Sequence, residues 1–287
     1  MSSVQIMAIL NLTPDSFSDG GRLSSQESLL QAAETALKAG ADILDMGGES
    51  TRPGARCVPE QEELSRVIPA IEAVRQTFPN ASISVDTRKA TVAQAALRAG
   101  ATMVNDVSGL QYDPAMAEVC AGANCPVILT HSQGTPETMQ HNPSYPQGVI
   151  TEVASFFERQ IQYAHKAGVR QASIILDPGF GFGKTLAQNL ELLNHLDALM
   201  TLGCPLMVGT SRKTFLTLGV TDIPPEEREA LSALSMAFAI ERGARYVRVH
   251  NPKLQAPAVR LIEATLKAGP SRLDCKRNAL MDTLLSQ

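Results

Sequence analysis

Ala39-Gly40-Ala41-Asp42-Ile43-Leu44-Asp45-Met46-Gly47-Gly48 joins the end of one element to the whole of the next. The glycine of Ala39-Gly40-Ala41 fits the position just after a helix, where a left-handed residue turns the chain back. A short apolar run follows, ends in Asp45 and passes into paired glycines, the pattern of a buried strand feeding a loop. The punctuation recurs at Ala99-Gly100-Ala101 before Met103-Val104-Asn105-Asp106, and at Ala167-Gly168-Val169 before Ile174-Ile175-Leu176-Asp177. A helix, a glycine turn and a polar-ended strand, repeated along a chain, describe a parallel α/β protein.

Working outward from that unit, strands are expected at Val4 to Asn11, Asp42 to Gly47, Ser82 to Asp86, Thr102 to Asn105, Pro126 to His131, Ser173 to Asp177, Pro205 to Gly209 and Arg245 to His250. Amphipathic segments such as Gln26 to Ala39, Glu60 to Phe78, Thr91 to Ala99, Glu152 to Ala167 and Glu226 to Arg242 supply crossovers between them. Eight such units favour a single closed (β/α)8 TIM barrel over an open doubly wound sheet with extra strands. The alternation runs to about Lys267, giving one barrel domain over 1–268 and a polar tail or short helix over 269–287. At 287 residues and 44% hydrophobic, the chain has the core-forming capacity for such a barrel.

Charge narrows the function. The 25 basic and 29 acidic residues are well mixed and leave a net charge of -4, so neither nucleic acid nor a membrane surface is an expected partner. The five cysteines form no C-x-x-C pair, which argues against a zinc site and for reduced thiols in a cytoplasmic protein. Met1 to Gln5 lacks a basic leader, and no apolar run nears the roughly 18 residues of a membrane span.

Barrel enzymes assemble their sites at the C-terminal ends of the strands, so the residue closing each apolar run is the informative one. Here those residues are Asn11, Asp45, Asp86, Asn105 with Asp106, and Asp177. In the last strand Arg248 and His250 alternate onto one face. Asn and Asp are depleted within strands, and so many of them beside Lys213, Arg248 and His250 describe a mixed-charge pocket. The glycine-rich loops Asp45 to Gly54 and Asp177 to Lys184 offer bare N–H groups suited to an anion or a planar ligand. Gly209-Thr210-Ser211-Arg212-Lys213-Thr214 reads as a basic turn before a helix, where cations oppose the macrodipole unless an anion sits with them.

These motifs resemble those of the dihydropteroate synthases. The first loop, Ile9-Leu10-Asn11-Leu12-Thr13-Pro14-Asp15-Ser16-Phe17-Ser18-Asp19-Gly20-Gly21, and the second, Gly47-Gly48-Glu49-Ser50-Thr51-Arg52-Pro53-Gly54-Ala55, are both very similar to that family's pattern. Ser84 to Thr87, Asn105-Asp106, His131, Asp177 to Lys184, Ser211-Arg212-Lys213 and Arg248-Val249-His250 then follow in the family's order. The resemblance implies a transferase that joins 6-hydroxymethyl-7,8-dihydropterin pyrophosphate to p-aminobenzoate, releasing pyrophosphate. It assigns Asp86, Asn105, Asp177, Lys213 and Arg248 to the pterin, and Asn11, Arg52, Arg248 and His250 to the pyrophosphate. Phe17, Thr51, Arg52, Pro53, Phe180, Ser211 and Lys213 go to the aminobenzoate, and Asp86, Lys213, Arg248 and His250 to catalysis. Mg2+ bound at Asn11, inhibition by sulfonamides and a homodimer built on helices late in the barrel are further implications.

The chain departs from the family's pattern at Thr130-His131-Ser132, where methionines usually flank the histidine, and at Asn251-Pro252, where an aspartate usually follows Arg-x-His. The first change alters an apolar wall of the pterin pocket; the second removes a carboxylate beside the pyrophosphate. A pterin-dependent methyltransferase domain would share barrel and pocket without needing the Ser-Arg-Lys and Arg-x-His elements. A non-catalytic paralogue would be expected to have lost Asp86, Lys213 or Arg248.

Overall fold

Gly40, Gly100 and Gly168 all take left-handed backbone conformations, with φ of 97°, 116° and 97°. After each, the next residue donates its N–H to the carbonyl five residues back: Ala41 to Ala36, Ala101 to Ala96 and Val169 to Ala164, at 2.9 to 3.0 Å. This is the bond that closes a helix and reverses the chain. Three helices therefore return to the sheet by the same device, as their sequence predicts.

In the computed structural model, residues 3–12, 22–50, 54–55, 57–134, 138–140, 142–220 and 223–268 are described, with side chains in the first helix from residue 26 onward. The strands are β1 (Gln5–Asn11), β2 (Ile43–Gly47), β3 (Ser82–Asp86), β4 (Met103–Asp106), β5 (Val127–Thr130), β6 (Ile174–Asp177), β7 (Leu206–Val208) and β8 (Ala244–Val249). They pair in parallel and in sequence order, and β8 pairs with β1, closing the barrel. Helices α1 (Arg22–Lys38), α2 (Glu60–Thr77), α3 (Ala90–Ala99), α4 (Met116–Ala123), α5 (Val149–Lys166), α6 (Leu186–Asn194), α7 (Glu229–Glu241) and α8 (Pro252–Lys267) form the outer layer. Among the described residues, no helix is long and apolar enough to cross a membrane. The segment 269–287, expected as a tail, lies outside the described residues.

The barrel interior is layered. Met7, Ile43, Met103, Ile128, Ile175 and Met207 meet at its centre with Tyr246 packed against them. Two residues further along five of those strands stand Asp45, Asn105, Thr130, Asp177 and Arg248. Because side chains two apart share a face, each strand contributes one apolar residue to a floor and one polar residue to the mouth above it.

Two expectations change. The turn after β7 leads into a four-residue 3-10 turn, Thr214–Thr217, and not into a helix with a dipole to oppose. Arg212 there needs no bound anion, since its guanidinium pairs with Glu229 of α7 at 2.6 Å. The helix expected from Glu226 begins at Glu229, preceded by the 3-10 turn Pro225–Arg228.

Candidate active site

Arg248, entering from β8, organises one half of the mouth. Its Nε donates to Asp45 Oδ2 and its Nη2 to Asp86 Oδ2, both at 2.6 Å. Asn105 Nδ2 donates to the same Asp45 oxygen at 3.0 Å. Burial is nearly complete for Asp45, Asp86 and Asn105. A buried carboxylate needs a partner, and here two of them hold one guanidinium. Among the described residues Nη1 is then the part of Arg248 left to face a ligand.

The carboxyl of Asp86 is pushed up to about 7, first by burial and then by Asp45, Glu63 and Asp106, with Arg248 opposing. Asp45 was read in the sequence only as a polar strand end, yet it is the residue on which Arg248 and Asn105 converge. Its Oδ1 is buried without a hydrogen-bond partner among the described residues. Asp106, by contrast, faces away from this chemistry. It folds the turn after β4 by accepting from Ser108 N at 2.8 Å and Leu110 N at 2.9 Å.

Asp177 and Lys213 form the opposite half. Asp177 Oδ1 accepts from Gly179 N at 2.8 Å, and a Cβ placed on Gly209 would lie 3.9 Å from Asp177 Oδ2 and 3.7 Å from Arg248 Cβ. The absence of a side chain at Gly209 therefore keeps open the gap between the two halves. Burial raises the Asp177 carboxyl, opposed by the Gly179 N–H and by Lys213, Arg248 and Lys184. The Lys213 ammonium lies 4.0 Å above the Phe182 ring. A Cβ on Gly181 would meet Lys213 Cδ at 3.3 Å.

Asp86, Asn105, Asp177, Lys213 and Arg248 are thus gathered around one opening, and Asn11 ends β1 at its rim, exposed and in register with Gly47. His250 stands just beyond β8, its backbone N–H donating to Ser211 Oγ at 3.2 Å and its Nδ1 3.1 Å from the same oxygen. Ser211 is 3% exposed, as buried as the mouth residues Asn105 and Asp177, and its hydroxyl orients His250. Phe180, expected beside the aminobenzoate, is 1% exposed and stacks on Phe215 at 5.8 Å within the core. Phe182, two residues on and half-buried beneath Lys213, is the ring that borders the site. Phe17, Thr51, Arg52 and Pro53 lie outside the described residues.

The two departures also find their places. Thr130 is buried at the end of β5 and His131 follows it, packed edge-on against Phe156 at 4.9 Å. Asn251 caps α8, accepting from Leu254 N at 3.3 Å. Asparagine and aspartate cap helices about equally well, so the substitution removes a charge and keeps the cap.

Known proteins of one kind resemble the chain over most of its length. The model of the pterin binding enzyme family matches residues 7–250. A dihydropteroate synthase of Synechocystis is 45% identical over 90% of this chain and 89% of its own length. In fold, the chain matches the Yersinia pestis dihydropteroate synthase in complex with a sulfonamide drug, with TM-score 0.86 and 45% identity over 93% of this chain and 95% of that one. It also matches the Xanthomonas albilineans enzyme with 4-aminobenzoic acid, with TM-score 0.85 and 40% identity over 93% of this chain and 94% of that one. An acidic and amide-lined mouth on a sealed barrel, read together with these matches, makes the chain a member of the pterin-binding enzyme family.

Proposed function

We propose that the chain is a dihydropteroate synthase, and the observation that carries the reading is the polar ring of Asp45, Asp86, Asn105, Asp177, Lys213 and Arg248 above an apolar floor. A dihydropterin presents a guanidine-like edge, which a carboxylate accepts in two hydrogen bonds; Asp177 fills that role. Asn105 and Asp86 read the remaining ring positions, with Asp45 holding Asn105 and Arg248 in place. Lys213 and Phe182 border the side where p-aminobenzoate approaches.

The C–O bond to pyrophosphate breaks and a C–N bond to the aminobenzoate forms, the amine's proton passing to solvent. Bond breaking leads, because the pterin ring spreads positive charge from the exocyclic methylene. Asp86 and Asp45 lie where they stabilise that charge, while Arg248 and His250 hold the departing diphosphate. Among the described residues no cluster of three or more acidic, His or Cys side chains gathers to hold a metal. The hard amide oxygen of Asn11 at the rim suits Mg2+ coordinated mainly by phosphate oxygens. Bound there, the ion would supply neutralising charge for the leaving group.

Exposed Leu234, Phe238, Leu261 and Leu266 line an apolar cleft of about 340 Å³ between α7 and α8, which supports a homodimer built on those helices. The free cysteines Cys57, Cys120, Cys125 and Cys204 suit a cytoplasmic enzyme. Purified chain incubated with pterin pyrophosphate, Mg2+ and p-aminobenzoate is expected to release dihydropteroate and pyrophosphate together; the appearance of neither rejects the reading.

A further inference from the structure

Lys184 is a cation with an unusual address. It closes the glycine-rich loop after β6, is 3% exposed, and forms no ion pair with a carboxylate among the described residues. Its Nζ lies 3.0 Å from His131 Nδ1 and donates to Gly179 O at 2.9 Å and Phe182 O at 3.2 Å. The seam it crosses is tight: a Cβ on Gly179 would come within 1.9 Å of His131 O, and one on Gly183 within 2.6 Å of Gln133 O. Across the same seam His131 N donates to Asp177 O at 2.9 Å.

We propose that Lys184 is a positioning residue for Asp177, fastening the β6 loop to the end of β5 and keeping the Asp177 carboxylate charged for its ligand. The inference rests on the reading of Asp177 as the acceptor for the pterin. Gly179 is gripped from both sides, its carbonyl by Lys184 and its N–H by Asp177 Oδ1. Lys184 therefore fixes the Asp177 rotamer at one remove. Burial pushes the Lys184 ammonium down to about 7, the Asp177 carboxylate opposing and Lys213 adding to it, while Lys184 joins Gly179 N–H, Lys213 and Arg248 in lowering an Asp177 carboxyl that burial raises. Other charges facing the pair are Lys213 after β7 and Arg248 of β8. His131 adds none, because burial, Lys184 and Arg159 of α5 push it down to about 2 and keep it neutral. With Lys184 donating to Nδ1, the ring proton sits on Nε2.

The sign follows. Removing the Lys184 charge raises the Asp177 carboxyl, so a ligand that needs the carboxylate binds more weakly, and the acid limb of binding moves to higher pH. The test is calorimetric binding of a pterin lacking the diphosphate, across weakly acid to weakly alkaline pH. Lys184→Gln keeps an N–H donor without the charge, and Lys184→Met removes both. Expected are a loss of about tenfold at neutral pH for Lys184→Met and an acid limb raised by about one unit in both variants. The KM for p-aminobenzoate should stay within about twofold of the unaltered chain. An unmoved acid limb in folded Lys184→Gln overturns the proposal, whatever its melting temperature does; Lys184→Gln decides alone if Lys184→Met does not fold. Asp177→Asn separates the two readings. If it leaves pterin binding unchanged, the assignment of Asp177 fails; if it abolishes binding while Lys184→Gln behaves like the unaltered chain, only the role of Lys184 fails.

Discussion

The floor and the mouth of the barrel are made by the same strands, two residues apart, and differ in almost everything else. Ile43, Met103, Ile128 and Ile175 pack as a dry plug; Asp45, Asn105, Thr130 and Asp177, one pleat further on, are polar. The difference teaches that the floor sets the strength of the mouth. Water excluded from below leaves the carboxylates dependent on Arg248 and on whatever enters from above, and charge interactions gain strength in that low-dielectric setting.

The hardest way to break the mouth is Arg248→Met. It strips the counter-charge from buried Asp45 and Asp86, and is expected to cost roughly 3–5 kcal/mol in urea unfolding along with turnover. Stability close to that of the unaltered chain would mean that the two carboxylates are not both charged. Ile128→Ala attacks the floor alone: a loss of about 2–5 kcal/mol in stability is expected, with pterin affinity changed far less. Equal damage to both would erase the distinction between the layers.

Asp177→Asn retains an acceptor for Gly179 and deletes the charge. Since a hydrogen bond to a charged group contributes about 1.5–3 kcal/mol, pterin affinity should fall by about one to two orders of magnitude, as read by calorimetry. Asp86 gives the comparison a pH signature. Its folded-state carboxyl lies near 7, above the ordinary range, so its contribution to stability is fullest in acid and fades as pH rises through about 7. Turnover, which uses the carboxylate, should climb over that same interval, and Asp86→Asn should flatten both profiles. The smallest effect is expected at the rim: Asn251→Asp preserves the α8 cap, and stability should stay within about 0.5 kcal/mol while KM for the pyrophosphate substrate rises.

Much of this architecture could be read from the chain because it is local. Ala-Gly-Ala turns depend on a few neighbouring residues, and a strand that ends in Asn or Asp declares its own end. Residues whose meaning depends on a distant partner could not be read that way. Asp45 becomes the anchor of the mouth only when Arg248, 203 positions away, reaches it. Phe180 and Phe182 are equivalent in sequence; the left-handed turns at Gly179, Gly181 and Gly183 decide which ring is buried. Arg212 suggested a bound anion until Glu229 supplied the counter-charge. The strand-end residues thus carried the site's composition, and tertiary pairing carried its roles.

The plug formed by Met7, Ile43, Met103, Ile128, Ile175 and Met207 has one more effect. It closes the bottom of the barrel beneath the polar mouth. On the proposed reading, the fused ring that belongs at the bottom has to arrive before the partner that stands above it, and a joined product has to leave the way its first half came in. That order follows from the closed floor alone.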